Sequence, residues 1–75
     1  MIFYSPNAIA LDAMDGKPTR LFTYGHCLSR AECEVTFKNW EKYGYKFLCT
    51  WIDAWNADTG REWKTSFKTY RNNIL

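Results

Sequence analysis

No part of this sequence carries a strong excess of one charge. Ten Lys and Arg stand against eight Asp and Glu, a net of +2, far from the basic balance of a protein that lives on phosphate. No apolar run approaches the roughly 18 residues that a membrane helix needs. The opening residues, Met1-Ile2-Phe3-Tyr4-Ser5-Pro6, hold no basic segment leading into an apolar one, so no secretory leader is read there and the chain is expected to be cytoplasmic. Cysteine is scarce and odd in number: Cys27, Cys33 and Cys49 have no paired spacing. That argues against a secreted disulfide framework and for free thiols in a reducing compartment. Gly-x-Gly and phosphate-cradling loops are missing, which removes support for nucleotide-dependent chemistry, and no cofactor is expected. Internal repeats, low-complexity segments and linkers are missing too.

What the chain has in quantity is aromatic residues. Four Trp, five Tyr and five Phe sit in 75 residues. A chain of this length has room for one core, and residues 1–75 are expected to form a single small domain. Such a domain hides only about 60% of the surface its unfolded form exposes, so it needs large side chains or an associate to stay folded. Each aromatic can bury about 150 to 250 Å². One helix on one sheet layer has a single interior, so some of these rings must face outward or face a partner.

The clearest local signal is Ser29-Arg30-Ala31-Glu32, a capping box in which the Ser hydroxyl and the Glu carboxylate satisfy orphan backbone donors reciprocally. It predicts a helix over residues 30 to 43, with Leu28 and Cys33 as a hydrophobic staple and Gly44 as the left-handed terminator. Cys33, Phe37 and Trp40, extended by Tyr43, form its apolar stripe. Glu34 and Lys38, four apart, belong to its outer side.

Two extended stretches follow, residues 45 to 56 and 62 to 71, joined by Ala57-Asp58-Thr59-Gly60-Arg61. They read as a hairpin with Gly60 at the left-handed position of a three-residue loop. That register sets Trp55 opposite Trp63 and Trp51 opposite Phe67. Unbroken alternation gathers Tyr45, Phe47, Cys49, Trp51, Trp55, Trp63 and Phe67 on one face, with Lys46, Thr50, Asn56, Glu62, Lys64, Ser66 and Lys68 on the other. Upstream, Leu11 to Met14, Asp15-Gly16 and Arg20 to Leu28 read as a second hairpin with Phe22, Tyr24 and Leu28 alternating. A short helix from Ser5 through Met14, started by Pro6 and stopped by Gly16, is the rival reading. The fold class expected is α+β: one helix packed on a small antiparallel sheet, in the order β-β-α-β-β.

Candidate chemistry is sparse. Cys27 near a helix N-terminus could be an activated thiol with His26 as its base, but adjacent strand residues point to opposite faces, and a packed Cys beside a surface His is the plainer reading. His26, Cys27, Cys33 and Cys49 could supply zinc ligands, yet no short knuckle spacing exists, and no metal is expected. Asp53, alone in an apolar strand and placed opposite Thr65, could be a general base. No second acid, His or Lys is set to share the work, and a hydrogen-bonded or wet rim carboxylate is the plainer reading. The chain is expected not to be an enzyme.

Two binding surfaces remain. If the helix covers only part of the aromatic face, the remainder is an apolar patch of the kind that marks a protein contact. Trp55 and Trp63, with Trp51 and Arg61, are the interface candidates. The other face sets Lys46, Lys64 and Lys68 among Tyr70, Leu48 and Ile52 with Arg71 at its end, a pattern that single-stranded nucleic-acid platforms use and that solvated sheet faces also show. The function expected first is a non-enzymatic module that binds another protein, or a second copy of itself. In size and fold class it is analogous to phage- and plasmid-type inhibitors of host defence complexes, anti-CRISPR proteins among them. The alternative is a single-stranded nucleic-acid binder working through the basic face.

Overall fold

The computed structural model of the chain describes residues 1–23 and 25–71. Four strands and one helix follow one another as β1 (Ile2–Leu11), β2 (Pro18–Phe22), α1 (Arg30–Lys42), β3 (Lys46–Asn56) and β4 (Glu62–Thr69). The strands form one antiparallel sheet in the order β2-β1-β3-β4, and α1 lies across β1 and β3 on one side of it. The expected α+β class and β-β-α-β-β order are what the chain adopts.

The N-terminal ambiguity resolves to a hairpin, but its strands are Ile2–Leu11 and Pro18–Phe22 rather than the expected Leu11–Met14 and Arg20–Leu28. Strand β1 begins at Ile2 and runs straight through the segment that could have been a helix, because it is paired on both sides, with β2 and with β3. The connection spans residues 12–17, longer than the expected two-residue Asp15-Gly16 turn, because Asp12 to Met14 belong to it rather than to a strand. Gly16 adopts φ 68°, its N–H donates to the Asp12 carbonyl at 2.9 Å, and the Asp12 and Asp15 carboxylates accept from the Met14 and Lys17 N–H groups. Pro6 sits in this central strand without loss. Tyr4 exchanges both backbone hydrogen bonds with Cys27, at 2.9 and 2.8 Å, so even-numbered residues of β1 turn their N–H groups toward the β2 side. Pairing there stops at Asn7 and resumes at Tyr4, and Pro6 occupies the gap, where no donor is required. Of the alternation expected beyond Phe22, Tyr24 lies outside the described residues, and Leu28 is exposed.

Helix α1 starts as expected. Ser29 is the N-cap and its hydroxyl accepts from the Glu32 N–H at 3.2 Å, while the Glu32 carboxylate accepts from the Leu28 N–H at 3.0 Å. The expected Leu28–Cys33 staple does not form. Leu28 is 60% exposed, whereas Cys33 is fully buried against the sheet. The stripe ends at Trp40, since Tyr43, at the C-cap, is 76% exposed. Gly44 closes the helix at φ 97°, and a Cβ placed on it would come within 2.7 Å of the Ala13 Cβ. Ala8 and Ala10, small and fully buried, let the helix approach β1 closely. They form the core with Cys33, Phe37, Phe47 and Ile52, flanked by Tyr4, Leu21, Cys27, Trp40, Tyr45 and Tyr70.

Strand β3 departs from unbroken alternation, and the departure decides which residues the helix covers. Ile9 pairs with Cys49 but Ala10 pairs with Phe47, so Leu48 is an extra residue, a β-bulge. Tyr45 and Phe47 therefore pack on the helix side, and beyond the bulge the parity is reversed. Thr50, Ile52 and Ala54 take the helix side, while Cys49, Trp51, Asp53 and Trp55 point to the opposite face. The expected single aromatic face under the helix is corrected accordingly, and Ile52 belongs to the core rather than to an outer basic face.

The second hairpin is also re-registered. Asn56 closes on Arg61 around a four-residue loop with Gly60 at φ 74°, one residue longer than expected. Trp55 then pairs with Glu62, Ala54 with Trp63, Asp53 with Lys64 and Ile52 with Thr65, so Trp55 does not oppose Trp63 and Asp53 does not oppose Thr65. A second bulge near Ser66, at φ 56°, restores the expected register for Thr50–Lys68 and Cys49–Thr69. Trp51 and Phe67 stack as neighbours, ring centroids 6.4 Å apart.

Candidate functional site

One face of the sheet carries the helix and the other carries no further layer among the described residues. That open face takes Phe3, Ser5, Asn7 and Ile9 from β1, Arg20 and Phe22 from β2, and Trp51, Asp53 and Trp55 from β3, with Glu62, Lys64 and Phe67 from β4. All four strands present side chains here, and the Leu48 bulge brought the odd residues of β3 into line with those of β1.

Trp51 is the centre of this face. It is only 7% exposed although no helix covers it, because neighbouring side chains do. The Arg20 guanidinium carbon lies 5.1 Å and the Lys64 ammonium 5.4 Å from its ring centroid, and Phe67 stacks beside it at a 25° interplanar angle. Below the ring runs a polar chain. Arg20 Nη2 donates to Asn7 Oδ1 at 3.0 Å, Asn7 Nδ2 donates to Asp53 Oδ2 at 2.9 Å, and Trp51 Nε1 donates to Asp53 Oδ1 at 3.2 Å. Asp53 is thus a hydrogen-bonded carboxylate that holds the indole and the Asn7 amide in place. Each of its two oxygens accepts one hydrogen bond.

At one end of the face Phe3, Trp55 and His26 form a ring cluster, with centroids 4.9 Å apart for Phe3–Trp55 and 4.4 Å for His26–Trp55. Two shallow concavities flank Asp53. One of about 540 Å³ is lined by Asp53, Trp55, Glu62 and Lys64 from the open face and by Ala54 and Trp63 from the helix side, and one of about 350 Å³ is lined by Asn7, Arg20, Phe22 and Asp53. Among the described residues the ion pair present joins the N-terminal ammonium of Met1 to Asp58, so Arg20, Lys46, Lys64 and Glu62 have no oppositely charged side chain within salt-bridge distance.

The predicted site residues are dispersed. Trp51 and Trp55 lie on the open face. Trp63 lies on the other side of β4, with the Arg61 guanidinium carbon 5.8 Å from its ring. Of the basic set, Lys46, beside Leu11, and Lys64 are on the open face. Lys68, opposite Thr50, and Tyr70, against Phe47, are on the helix side, with the Lys68 ammonium 4.8 Å from the Tyr70 ring. Arg71 is exposed just past β4. The five do not make one platform.

His26 packs on Phe3 and Trp55, while Cys27 packs into the helix-side core, so the two face apart. The Cys33 thiol is pushed up to about 12 by burial and by its contact with the Cys27 thiol, the reverse of an activated nucleophile. Among the described residues no three His, Cys, Asp or Glu side chains are grouped to hold a metal ion. Arg20 and Asn7 are the site residues that sequence reasoning missed. Arg20 alternates with Phe22 in a strand that faces outward, which is a usable signal, whereas nothing around Asn7 announces a buried amide. Comparison with protein-family models, with curated proteins and with solved structures found no match.

Proposed function

We propose that this protein is a non-enzymatic binding module that docks on another protein, or on a second copy of itself, through the open sheet face centred on Trp51. One observation carries the reading. A whole face of a four-stranded sheet, rich in Trp and Phe and holding Arg20, has no layer over it among the described residues, and these are the residue types that dominate protein interfaces. Its site of action would be the cytoplasm, since no helix among the described residues is long and apolar enough to cross a membrane and all three cysteines are free. The narrower reading, an inhibitor of a host defence complex of phage or plasmid type, draws its support from small size and fold class.

The test is affinity capture from bacterial extract at high salt with three forms of the protein: wild type, Phe67→Glu and Val35→Glu, the last on the exposed outer side of α1. A stoichiometric protein partner lost only by Phe67→Glu is the expected result. The same capture profile for all three forms, from a chain that also stays monomeric, would overturn the reading.

Single-stranded nucleic acid is the second reading, favoured by Arg20, Lys46 and Lys64 sharing the open face with exposed rings. Asp53 and Glu62 on the same face oppose it. It requires binding that falls steeply with salt and weakens in Lys64→Glu.

A further inference from the structure

We propose that the occupant of the open face is a second copy of this chain, the two sheets stacking face to face to give a symmetric helix–sheet–sheet–helix dimer. The inference rests on the docking reading above and names its partner.

The chain has the dimensions of half a sandwich. Its accessible surface is 5463 Å² at a mass of 8.9 kDa, against roughly 4,800 Å² for a compact monomer of that mass. Its radius of gyration of 13.0 Å likewise exceeds the roughly 11.3 Å of a compact 75-residue domain. A standard interface takes roughly 800 Å² from each partner. The sheet face supplies such an area. Four strands about 4.8 Å apart, the central two ten and eleven residues long at about 3.3 Å per residue, project roughly 600 Å². Sheets that pack face to face interdigitate their side chains in a layer about 10 Å thick, which suits rings such as Phe67 that stand out of this face.

Charge favours a second copy over nucleic acid. The open face mixes signs, with Arg20, Lys46 and Lys64 against Asp53 and Glu62, and the chain as a whole carries only +2. In a two-fold interface each patch meets itself, so a mixed patch can satisfy its own charges across the axis. Lys64 and Glu62 lack an ion-pair partner within the chain among the described residues. Asp53 is already satisfied by Asn7 and Trp51 and can be covered without leaving a bare carboxylate.

The experiment is light scattering coupled to size exclusion, from micromolar to about 100 µM chain, at low and high salt, with and without a fifteen-residue oligothymidylate. Wild type, Phe67→Glu, Lys64→Glu and Val35→Glu are compared, each checked for native circular dichroism. Phe67 is 66% exposed, so its change removes little buried area of its own. The expected result is twice the chain mass for wild type and Val35→Glu in high salt, with the dissociation constant raised at least tenfold by Phe67→Glu and more modestly by Lys64→Glu. A dimer indifferent to Phe67→Glu would overturn the proposal by placing the interface elsewhere. A monomer at every concentration would also overturn it. If that monomer ignores the oligonucleotide, the docking reading survives with a different protein as partner. If it binds the oligonucleotide in a salt-sensitive, Lys64-dependent way, the docking reading falls as well.

Discussion

Ser66 is the one non-glycine residue described with positive φ, at 56°. A left-handed backbone costs an L-residue about 1–2 kcal/mol that glycine does not incur. Ser66→Gly is therefore expected to stabilise the protein by about 0.5–1 kcal/mol, raising the melting temperature by a few degrees in a domain this small. An unchanged or lower melting temperature would show that the Ser side chain contributes something the bulge alone does not explain. The Cys33 thiol makes the opposite kind of statement. Burial, and then the Cys27 thiol, raise it from 9.0 to about 12, so the folded state holds its proton more tightly than the unfolded chain does. The associated stability is complete below pH 9 and is lost as pH rises from about 9 towards 12. Thiol titration of the native protein at pH 8 should label Cys27 and Cys49, both half-buried, well before Cys33, which should react fully only on unfolding. Asp53 is a residue whose role follows from its partners. Asp53→Ala removes the acceptor of the Trp51 indole N–H and of one Asn7 amide hydrogen, the Asn7 amide still donating to the Ser5 carbonyl, at an expected cost of about 1–3 kcal/mol in chemical denaturation.

The elements owe their ends to a few local devices. The Ser29 cap was legible because it depends on two residues three apart, and its removal in Ser29→Ala should cost about 1 kcal/mol. Gly44 was legible for the same reason, although its close approach to Ala13 was not. That contact couples the helix terminus to the first hairpin, and Gly44→Ala is expected to destabilise more than the cap mutation does, since it combines positive φ with a 2.7 Å clash. Equal thermal shifts for the two variants would count against the clash. Gly16 and Gly60 as left-handed turn residues were likewise readable from short-range chemistry, whereas the bounds of the first hairpin's strands were not. The length of the second loop was not, because a left-handed Gly60 fits both the three-residue loop and the four-residue one that forms.

At the scale of the molecule, the two sides of the sheet are set by the bulges at Leu48 and near Ser66. A period of two admits no record of an inserted residue, so alternation counted along β3 put Trp51 and Trp55 beneath the helix when they lie on the open face. The same slip scattered the basic set. Lys64 joins Trp51, and Lys68 stays with Tyr70 on the helix side. Arg20, Asn7, Asp53 and Lys64 come from four strands and converge only when those strands are in register. If the open face is covered in solution, melting should be concentration-dependent, with wild type more stable at 100 µM than at 5 µM and Phe67→Glu indifferent to concentration.

The chain's own order of residues determined the fold class, the helix and its caps, and the turns, since each rests on contacts between near neighbours. Only the tertiary structure decided which face is open, which residues line it and how Asp53 is satisfied. Those depend on long-range strand pairing, where one extra residue moves every side chain beyond it to the other side of the sheet.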